Sequence, residues 1–220
     1  MNMEPDAAYE DHLRKARIAY LPDEFVTLFD IGCGSGRVPY GDRVVTGYEP
    51  DPELRALAAK TGKFKELLSS MKDFDLSQYD CVTLFGVLEH VEDVDAMLKQ
   101  LVDAKNIFLT VPNARSIHRQ VGLAAGMIDE LTQLQEHDLK IGHKRYYTNH
   151  SLHKDLDKFA WENGFKIHAA GTLALKVLPS ADHAKYLHLA DSFDYVGWNL
   201  GLSGETRSFG ADLYSLLRKK

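Results

Sequence analysis

Val26-Thr-Leu-Phe-Asp30-Ile-Gly-Cys-Gly-Ser-Gly36 is the stretch that decides the fold, because an apolar run ends in an aspartate and three alternating glycines. The apolar run predicts a buried strand. The glycines predict a tight turn after it, since glycine lacks Cβ and tolerates positive φ. Backbone N–H groups in such a turn can face an anionic or polar ligand group. The same turn also forms without a ligand, and a glycine pattern alone does not distinguish the two cases.

A second apolar run, Arg43-Val-Val-Thr-Gly-Tyr48, ends at Glu49. An acidic residue at a strand tip can accept hydrogen bonds from both hydroxyls of a ribose, and the alternative is a solvated strand end. Only six residues separate Gly36 from Arg43, so a full helix does not fit between these two strands. That spacing argues against a dinucleotide site, whose pyrophosphate lies at the N-terminus of a full helix.

Strands and helices alternate along the rest of the chain, which predicts a mostly parallel sheet with right-handed crossovers. The predicted strands cover residues 25–31, 43–48, 63–68, 79–85, 106–111, 165–176 and 209–217. The predicted helices cover residues 6–19, 52–60, 94–102, 114–127, 129–137, 149–163 and 184–196. We therefore predict one α/β domain over residues 1–220, a doubly wound seven-stranded sheet with a helical cap. The insertions 112–147 and 179–207 are expected to form that cap over the carboxyl edge of the sheet.

Composition and charge narrow the function classes. The chain has 220 residues, of which 45% are hydrophobic, so it can bury a sizeable core. Its net charge of −6 and its lack of a sustained basic run argue against nucleic acid as a partner. We expect no membrane association, because no apolar run approaches about 18 residues. Cys33 and Cys81 have neither metal-site nor disulfide spacing, which favours a reducing, cytoplasmic compartment. No pattern indicates an oligomeric state.

Three patterns in this order, Asp30-Ile-Gly-Cys-Gly-Ser-Gly36, Glu49-Pro-Asp51 and Val87-Leu-Glu-His-Val91, resemble the class I S-adenosylmethionine-dependent methyltransferases. A looser block, Pro112-Asn-Ala-x-Ser-x-His-Arg119 with Asp138-x-x-x-Gly-His-x-Arg-x-Tyr147, resembles small-molecule methyltransferases of sugar and glycan biosynthesis. The resemblance implies a Rossmann-like methyltransferase fold and S-adenosylmethionine as cofactor. It also implies methyl transfer to an oxygen or nitrogen of a small polar acceptor, such as a sugar-containing metabolite.

The resemblance also implies which residues surround the cofactor. The residues expected near its methionine part are Asp30, Gly32, Cys33, Gly34, Phe85 and Gly86, and those expected near its ribose and adenine are Glu49, Pro50, Ser70 and Met71. Ser70 and Met71 follow the third strand, where the family carries an acidic residue, and Asp73 is the alternative for that acid. Two alternatives stay open: Asp30 could bond its own loop, and Phe85 could belong to the core.

Two histidines are the candidates for proton removal from the acceptor. His90 and His143 have the near-neutral side chain that suits a general base, although His90 could instead be a structural residue of its loop. Arg145 could clamp an anionic acceptor or pair with acids of the insertion 179–207. The substrate-binding set predicted in full is His118, Arg119, Arg145 and Tyr146. No residue is assigned to a metal, although Glu136-His-Asp138 with His143 offers suitable ligand types.

Two other functions remain open at this point. A nicotinamide-dependent oxidoreductase is disfavoured by the glycine spacing and by the missing helix after the glycine turn. A non-catalytic cofactor-binding partner protein would share the cofactor residues and lack acceptor chemistry.

Overall fold

A computed structural model of the protein describes residues 5–72, 74–176, 204–205 and 209–220. The strands are β1 (Thr27–Ile31), β2 (Val44–Tyr48), β3 (Phe64–Leu68), β4 (Cys81–Phe85), β5 (Asn106–Pro112), β6 (Phe165–Leu173), β7 (Gly204–Glu205) and β8 (Asp212–Lys219). The helices are α1 (Pro5–Ala19), α2 (Pro52–Ala59), α3 (Val94–Lys99), α4 (Ile117–Ala124), α5 (Glu136–Lys140) and α6 (Asn149–Asn163).

Within the described residues all eight strands form one sheet, in the order β3-β2-β1-β4-β5-β8-β6-β7. The first five of these are parallel, whereas β8 runs antiparallel to both β5 and β6. The seven longer strands confirm the predicted α/β sheet, and the two-residue β7 adds a short edge. Because β8 is reversed, its first residue, Asp212, lies opposite Pro112 at the carboxyl edge of the parallel strands.

The core lies on both faces of this sheet. On one face α3 and α6 pack through Leu98, Leu152 and Leu156, which are almost fully buried. The other face is covered by α1, which contributes Leu13, and by the connection between β1 and β2, which contributes Tyr40. The sheet is thus buried from both sides, as its continuous apolar strands require.

The connection from β1 to β2 contains no helix in the described chain, as the six-residue spacing predicted. Side chains from the α2–β3 region support it instead. Lys63 Nζ donates hydrogen bonds to the carbonyl oxygens of Gly36 at 3.0 Å and Val38 at 3.1 Å. Gly36 has a φ of +71°, and a Cβ placed there would lie 3.0 Å from the Ala58 Cα and 2.8 Å from Phe64. Glycine is therefore required at this position for two independent reasons.

Helix ends follow local sequence signals. The Asp51 side chain accepts the backbone N–H groups of Glu53 and Leu54 at the start of α2. At α6, Thr148 and Ser151 form a reciprocal capping box, and Gly164 ends the helix with a φ of +73°. These signals explain why both helices were predicted close to their observed bounds.

The prediction was wrong in part for the segment after β5. The helix predicted over 114–127 is shorter, covering Ile117–Ala124, and the positive φ of Gly126 accompanies its end. The helix predicted over 129–137 does not form there, since α5 covers only Glu136–Lys140. Arg119 donates to the backbone oxygens of Leu131 and Gln133, so these carbonyls bond a side chain rather than a helical N–H. The helix predicted over 184–196 lies outside the described residues.

The segment 112–147 leaves and rejoins the sheet at its carboxyl edge. Asn113 and Tyr147 form an isolated parallel bridge, and the Ala114 N–H donates to the Tyr147 oxygen at 2.8 Å. The second predicted cap segment, 179–207, lies outside the described residues except for β7. Among the described helices, none is both long enough and apolar enough to cross a membrane.

Gly36→Ala should destabilise the cofactor-free protein more than Gly62→Ala. Both glycines have positive φ, but no described atom lies within 4 Å of a Cβ at Gly62. Backbone strain alone predicts a loss of about 1–2 kcal/mol at Gly62. Overpacking against Ala58 and Phe64 adds about 1–3 kcal/mol at Gly36. Urea unfolding of both variants measures the difference, and equal losses would contradict the tight helix-free connection.

Candidate functional site

The glycine turn after β1 is tied to the neighbouring strand tip. The N–H groups of Gly32 and Cys33 donate to the Tyr48 carbonyl at 2.8 and 3.1 Å. A Cβ at Gly32 would lie 2.9 Å from Val87 Cγ2 in the loop after β4, whereas no described atom lies within 4 Å of a Cβ at Gly34. Packing thus demands glycine at Gly32, while Gly34 borders open space.

Glu49 is built into the turn rather than solvated at a strand end. The residue is 6% exposed, and its Oε2 accepts the Gly34 N–H at 2.8 Å. Its Oε1 accepts the N–H of Asp51 at 3.0 Å. Each carboxylate oxygen retains a lone pair for a further donor. Pro50 lies between the two residues that contact the turn and cap α2, so the predicted ribose and adenine positions adjoin the glycines.

Asp30 is a buried carboxyl that bonds two hydroxyl groups. It accepts hydrogen bonds from Tyr40 OH and from Thr83 Oγ1, the latter at 2.6 Å. Burial raises the pKa of Asp30 to about 6, against the lowering effect of both hydroxyls. The alternative that Asp30 bonds the N–H groups of its own turn does not describe its contacts in the structure. Burial also raises the pKa of the Cys33 thiol to about 12, so this thiol stays protonated and is no nucleophile.

The remaining predicted cofactor residues fall into two groups. Phe85 is buried and packs edge-on against Phe108, which agrees with its core alternative, while the following Gly86 has a φ of +72°. Ser70 and Met71 line a cavity of about 550 Å³ together with Tyr48, whose carbonyl bonds the glycine turn. Asp73 lies outside the described residues.

Arg17 is a site residue that the sequence analysis missed. Its Nε and Nη2 donate to Asp212 Oδ2 at 3.0 and 2.8 Å, and both residues are buried. Its Nη2 also lies 3.6 Å from the position that a Cβ at Gly86 would take. A cation is therefore buried beside the tip of β4. The local sequence shows only an arginine on an amphipathic helix, because its partner is 195 residues away.

The structure brings the two predicted histidines together. The ring centroids of His90 and His143 lie 4.7 Å apart, with an interplanar angle of 73°. His90 follows β4, and its N–H donates to the Val87 oxygen at 3.0 Å. The segment carrying His143 is joined to the same loop, because the Lys144 N–H donates to the Glu89 oxygen at 2.8 Å.

The surroundings of both imidazoles lower their pKa values and favour the neutral forms. Burial lowers the pKa of His90, and a hydrogen bond with the Gly142 backbone opposes that effect. Burial and the neighbouring His90 lower the pKa of His143 to about 4. Asp138 lies 3.8 Å from His143 Nδ1, but its carboxylate accepts from Tyr146 OH at 3.0 Å and the Gln135 N–H at 2.8 Å. The His90–His143 pair therefore presents nitrogen lone pairs rather than positive charge.

The predicted substrate-binding cations hold the backbone in this structure. Arg145 Nη2 donates to the oxygens of Val91 and Glu92, at 2.6 and 3.1 Å, which favours a role in holding the loop after β4. Arg119 is buried and stacks 3.8 Å above the Tyr146 ring. His118 is half-buried in the first turn of α4. Contact of these four residues with an acceptor stays a prediction.

The acidic and imidazole groups near His143 do not assemble as the sequence suggested. Glu136 is exposed and pairs with Lys140 at 2.7 Å, and His137 is exposed as well. A different set converges, since one ligand atom from each of Glu89, His90 and His143 lies within 4.8 Å of the other two. Glu89 and His90 are adjacent in sequence, but only the fold adds His143.

Comparisons with known proteins identify the family. A family model described as a methyltransferase domain matches residues 7–169. No curated protein sequence matches the chain. A possible histamine N-methyltransferase from Thermotoga maritima, described as S-adenosylmethionine-dependent, superposes with a TM-score of 0.64 at 16% identity, covering 97% of this chain and 89% of that one.

Two further solved structures share the fold. An S-adenosylmethionine-dependent methyltransferase from Mesorhizobium loti has a TM-score of 0.57 at 18% identity, with 92% of this chain and 95% of that one covered. The magnesium protoporphyrin IX methyltransferase from Synechocystis PCC 6803, crystallised with S-adenosylhomocysteine, has a TM-score of 0.55 at 15% identity, with 96% and 83% covered. At these identities the likeness shows the fold, and the domain match shows the family.

The stability difference between the wild type and Asp30→Asn should depend on pH. Because the pKa of Asp30 is raised from 3.8 to about 6 in the folded state, that state keeps the proton longer than the unfolded chain. Stability from this group is therefore lost as pH rises from about 4 to 6, by up to about 3 kcal/mol. Asparagine does not titrate, so the wild type should lose that amount relative to the variant.

Urea unfolding of both proteins at pH 4.5 and pH 7.5 measures about 2 kcal/mol of this change, since the first part of it occurs below pH 4.5. Asp157→Asn, on the exposed face of α6, is the matched control and should show a constant difference. A pH-independent difference for Asp30→Asn would mean that the carboxyl is ionised at both pH values.

Proposed function

The chain belongs to the methyltransferase-domain family and is an S-adenosylmethionine-dependent methyltransferase; from this premise we propose that it methylates an oxygen or nitrogen of a small polar acceptor. The observation that carries the proposal is the His90–His143 pair, in which His90 follows β4, the neighbour of β1 in the sheet, and His143 comes from the segment 112–147. The acceptor class proposed from the sequence is a sugar-containing metabolite.

The cofactor positions support this assignment. Gly34 borders open space, and Glu49 presents a buried carboxylate beside it for the ribose hydroxyls. The backbone of Gly32 and Cys33 lies between that carboxylate and the loop of Val87. A ligand seated on Gly34 and Glu49 would therefore direct its methionine part toward Gly86 and the histidine pair. S-adenosylmethionine has no phosphate, so the absence of a helix between β1 and β2 in the described chain is compatible with its binding.

Methyl transfer needs alignment and the removal of one proton. The acceptor lone pair forms a bond to the methyl carbon while the carbon–sulfur bond breaks, and its electron pair stays on sulfur. The sulfonium already activates the methyl group, so holding acceptor, methyl and sulfur in line supplies most of the rate. The acceptor's proton then passes to an imidazole. His90 is the better base, since His143, with a pKa of about 4, binds a proton weakly at neutral pH.

The segment 112–147 supports an acceptor site at this edge of the sheet. It leaves and rejoins the sheet beside β5 and contributes His143 to the pair. We propose that it forms one wall of the acceptor site. Arg145, which now binds the Val91 and Glu92 carbonyls, would position the loop of His90 for the acceptor.

The alternatives are less well supported. The domain match and the missing helix disfavour a nicotinamide-dependent oxidoreductase. A non-catalytic cofactor-binding partner would have no use for a pair of half-buried imidazoles whose surroundings favour their neutral forms. Two buried free cysteines, Cys33 and Cys81, favour a cytoplasmic location, and the net charge of −6 disfavours nucleic acid as the acceptor.

Gly34→Val and Glu49→Ala should each weaken S-adenosylmethionine binding. Valine would fill the open space beside Gly34, and loss of the carboxylate removes two ribose hydrogen bonds of about 1.5–3 kcal/mol each. Isothermal titration with S-adenosylmethionine measures both effects, and circular dichroism checks folding. Gly62→Ala, between α2 and β3 with no described atom within 4 Å of the new Cβ, is the control with unchanged affinity. Wild-type affinity in both site variants would place the cofactor elsewhere.

His90→Ala should lower the methyl-transfer rate by roughly 10²–10⁴-fold without changing cofactor affinity, because it removes the proposed base. Arg145→Ala should instead mainly raise KM for the acceptor, since it loosens the acceptor wall. His150→Ala, on the exposed part of α6, is the control. The assay is release of S-adenosylhomocysteine against a panel of sugars and other polar metabolites. If His90→Ala and His143→Ala both turn over within about threefold of wild type, the proton goes to water and this assignment fails.

A further inference from the structure

We propose that Glu89, His90 and His143 bind a divalent transition-metal ion at the acceptor side of the site. One ligand atom from each residue lies within 4.8 Å of the other two. Zinc–ligand bonds of about 2.0–2.2 Å place tetrahedral ligand atoms about 3.4 Å apart. Small side-chain rotations therefore bring the three atoms to bonding distance.

The first observation that supports a bound ion concerns His143. Its side chain is only 9% exposed, and its Nδ1 has no hydrogen-bond partner in the described part of the chain. A buried polar atom without a hydrogen-bond partner lowers the stability of the folded protein. An ion bound to the lone pair of that atom would remove this cost. The nearby Asp138 is 3.8 Å away, beyond hydrogen-bond distance, and is engaged by Tyr146 and Gln135.

His90 is oriented as metal ligands usually are. Its ring faces the Gly142 backbone, since its Nδ1 lies 3.6 Å from the position that a Cβ on Gly142 would take. Metal-bound histidines commonly donate one ring N–H to a backbone carbonyl, which fixes the ring and leaves the other nitrogen for the ion. The backbone bond of Lys144 to Glu89 then holds the two halves of the cluster together.

The donor types select the ion. Two imidazoles and one carboxylate form the ligand set of catalytic zinc sites, with one position left open. Magnesium and calcium prefer oxygen ligands, so they suit this set poorly. Glu89 is 2% exposed and supplies the negative charge that a dication needs in a buried site.

This inference deepens the proposed function and rests on it for the position of the acceptor. The open position would take the acceptor oxygen, whose proton leaves to water because the ion lowers the pKa of the hydroxyl. The oxygen then forms its bond to the methyl carbon as the carbon–sulfur bond breaks. In the ion-free chain His90 takes the proton instead of water. Adding a chelator therefore shows which of these two routes the proton follows.

Titration of chelator-treated protein with Zn²⁺ in a calorimeter tests the site, with S-adenosylmethionine present and acceptor absent. We expect one ion per wild-type chain. His143→Ala and His90→Ala should each weaken binding at least tenfold, since even loss of a group that orients a ligand costs 10–100-fold. His150→Ala should bind as the wild type does. Co²⁺ should develop visible absorption in the wild type and in His150→Ala, and lose it in both site variants.

Glu89→Gln is a separate variant, because Glu89 also lies beside the Arg17 guanidinium at Gly86. It keeps the shape of the side chain, and it too should weaken Zn²⁺ binding at least tenfold. Absence of a one-to-one wild-type site, or equal affinity in His143→Ala and His150→Ala, would overturn the proposal.

The two proposals fail separately. If Zn²⁺ binds as expected but no polar acceptor is methylated, the proposed acceptor class is wrong and the metal site stands. If methyl transfer continues at full rate in chelator and no ion binds, the metal site is wrong and the proposed function stands.

Discussion

The buried carboxyl of Asp30 is the interaction on which the rest of the site depends. It sits at the end of β1 and accepts hydrogen bonds from Tyr40, in the helix-free connection, and from Thr83 in β4. A helix would normally hold such a connection against the sheet, and here the Tyr40 hydroxyl does so together with Lys63, which bonds the Gly36 and Val38 carbonyls. Because burial raises the pKa of this carboxyl, the same group that orders three elements also carries a desolvation cost.

The turn that follows Asp30 contacts the residues at the ends of both neighbouring strands, β2 and β4. Toward β2, the turn after Asp30 bonds the Tyr48 carbonyl and the Glu49 carboxylate, which prepares the cofactor side. Toward β4, the contact of Gly32 with Val87 sets the start of the loop that carries Glu89 and His90. One short region of backbone thus positions both the proposed cofactor residues and the proposed acceptor residues, which suits a reaction that depends on alignment.

The acceptor side combines buried charge with buried neutral groups. Arg17 and Asp212 form an ion pair that joins α1 to the reversed strand β8, beside the tip of β4. Breaking such a pair would leave an uncompensated buried charge, so it fixes the arrangement of both elements. Arg119 similarly binds backbone carbonyls within the segment 112–147, and Arg145 binds carbonyls of the loop after β4. Because these charged side chains already bind partners, the histidine pair is the polar group at this junction that remains available for chemistry.

Much of the cofactor side could be predicted from the sequence because its signals are local. The apolar run ending at Asp30, the glycine spacing and the acidic tip at Glu49 each lie within a few consecutive residues. The caps Asp51 and Thr148 likewise act on backbone within three residues of themselves. The periodicity of the apolar residues and the local capping signals were therefore enough to predict the parallel sheet, the helix-free connection and the helices α2 and α6.

Tertiary structure alone decided the rest. The absence of a helix over 129–135 follows from Arg119 binding carbonyls 12 and 14 residues away, which no local propensity records. Arg17 and Asp212, 195 residues apart, and the His90–His143 pair carry no shared sequence pattern. The sequence by itself determined the alternation of strands and helices, the glycine turn and the family resemblance, since these depend on neighbouring residues. Which side chains meet at the acceptor side was decided by the crossover connections of the sheet, because only they bring distant loops to one edge.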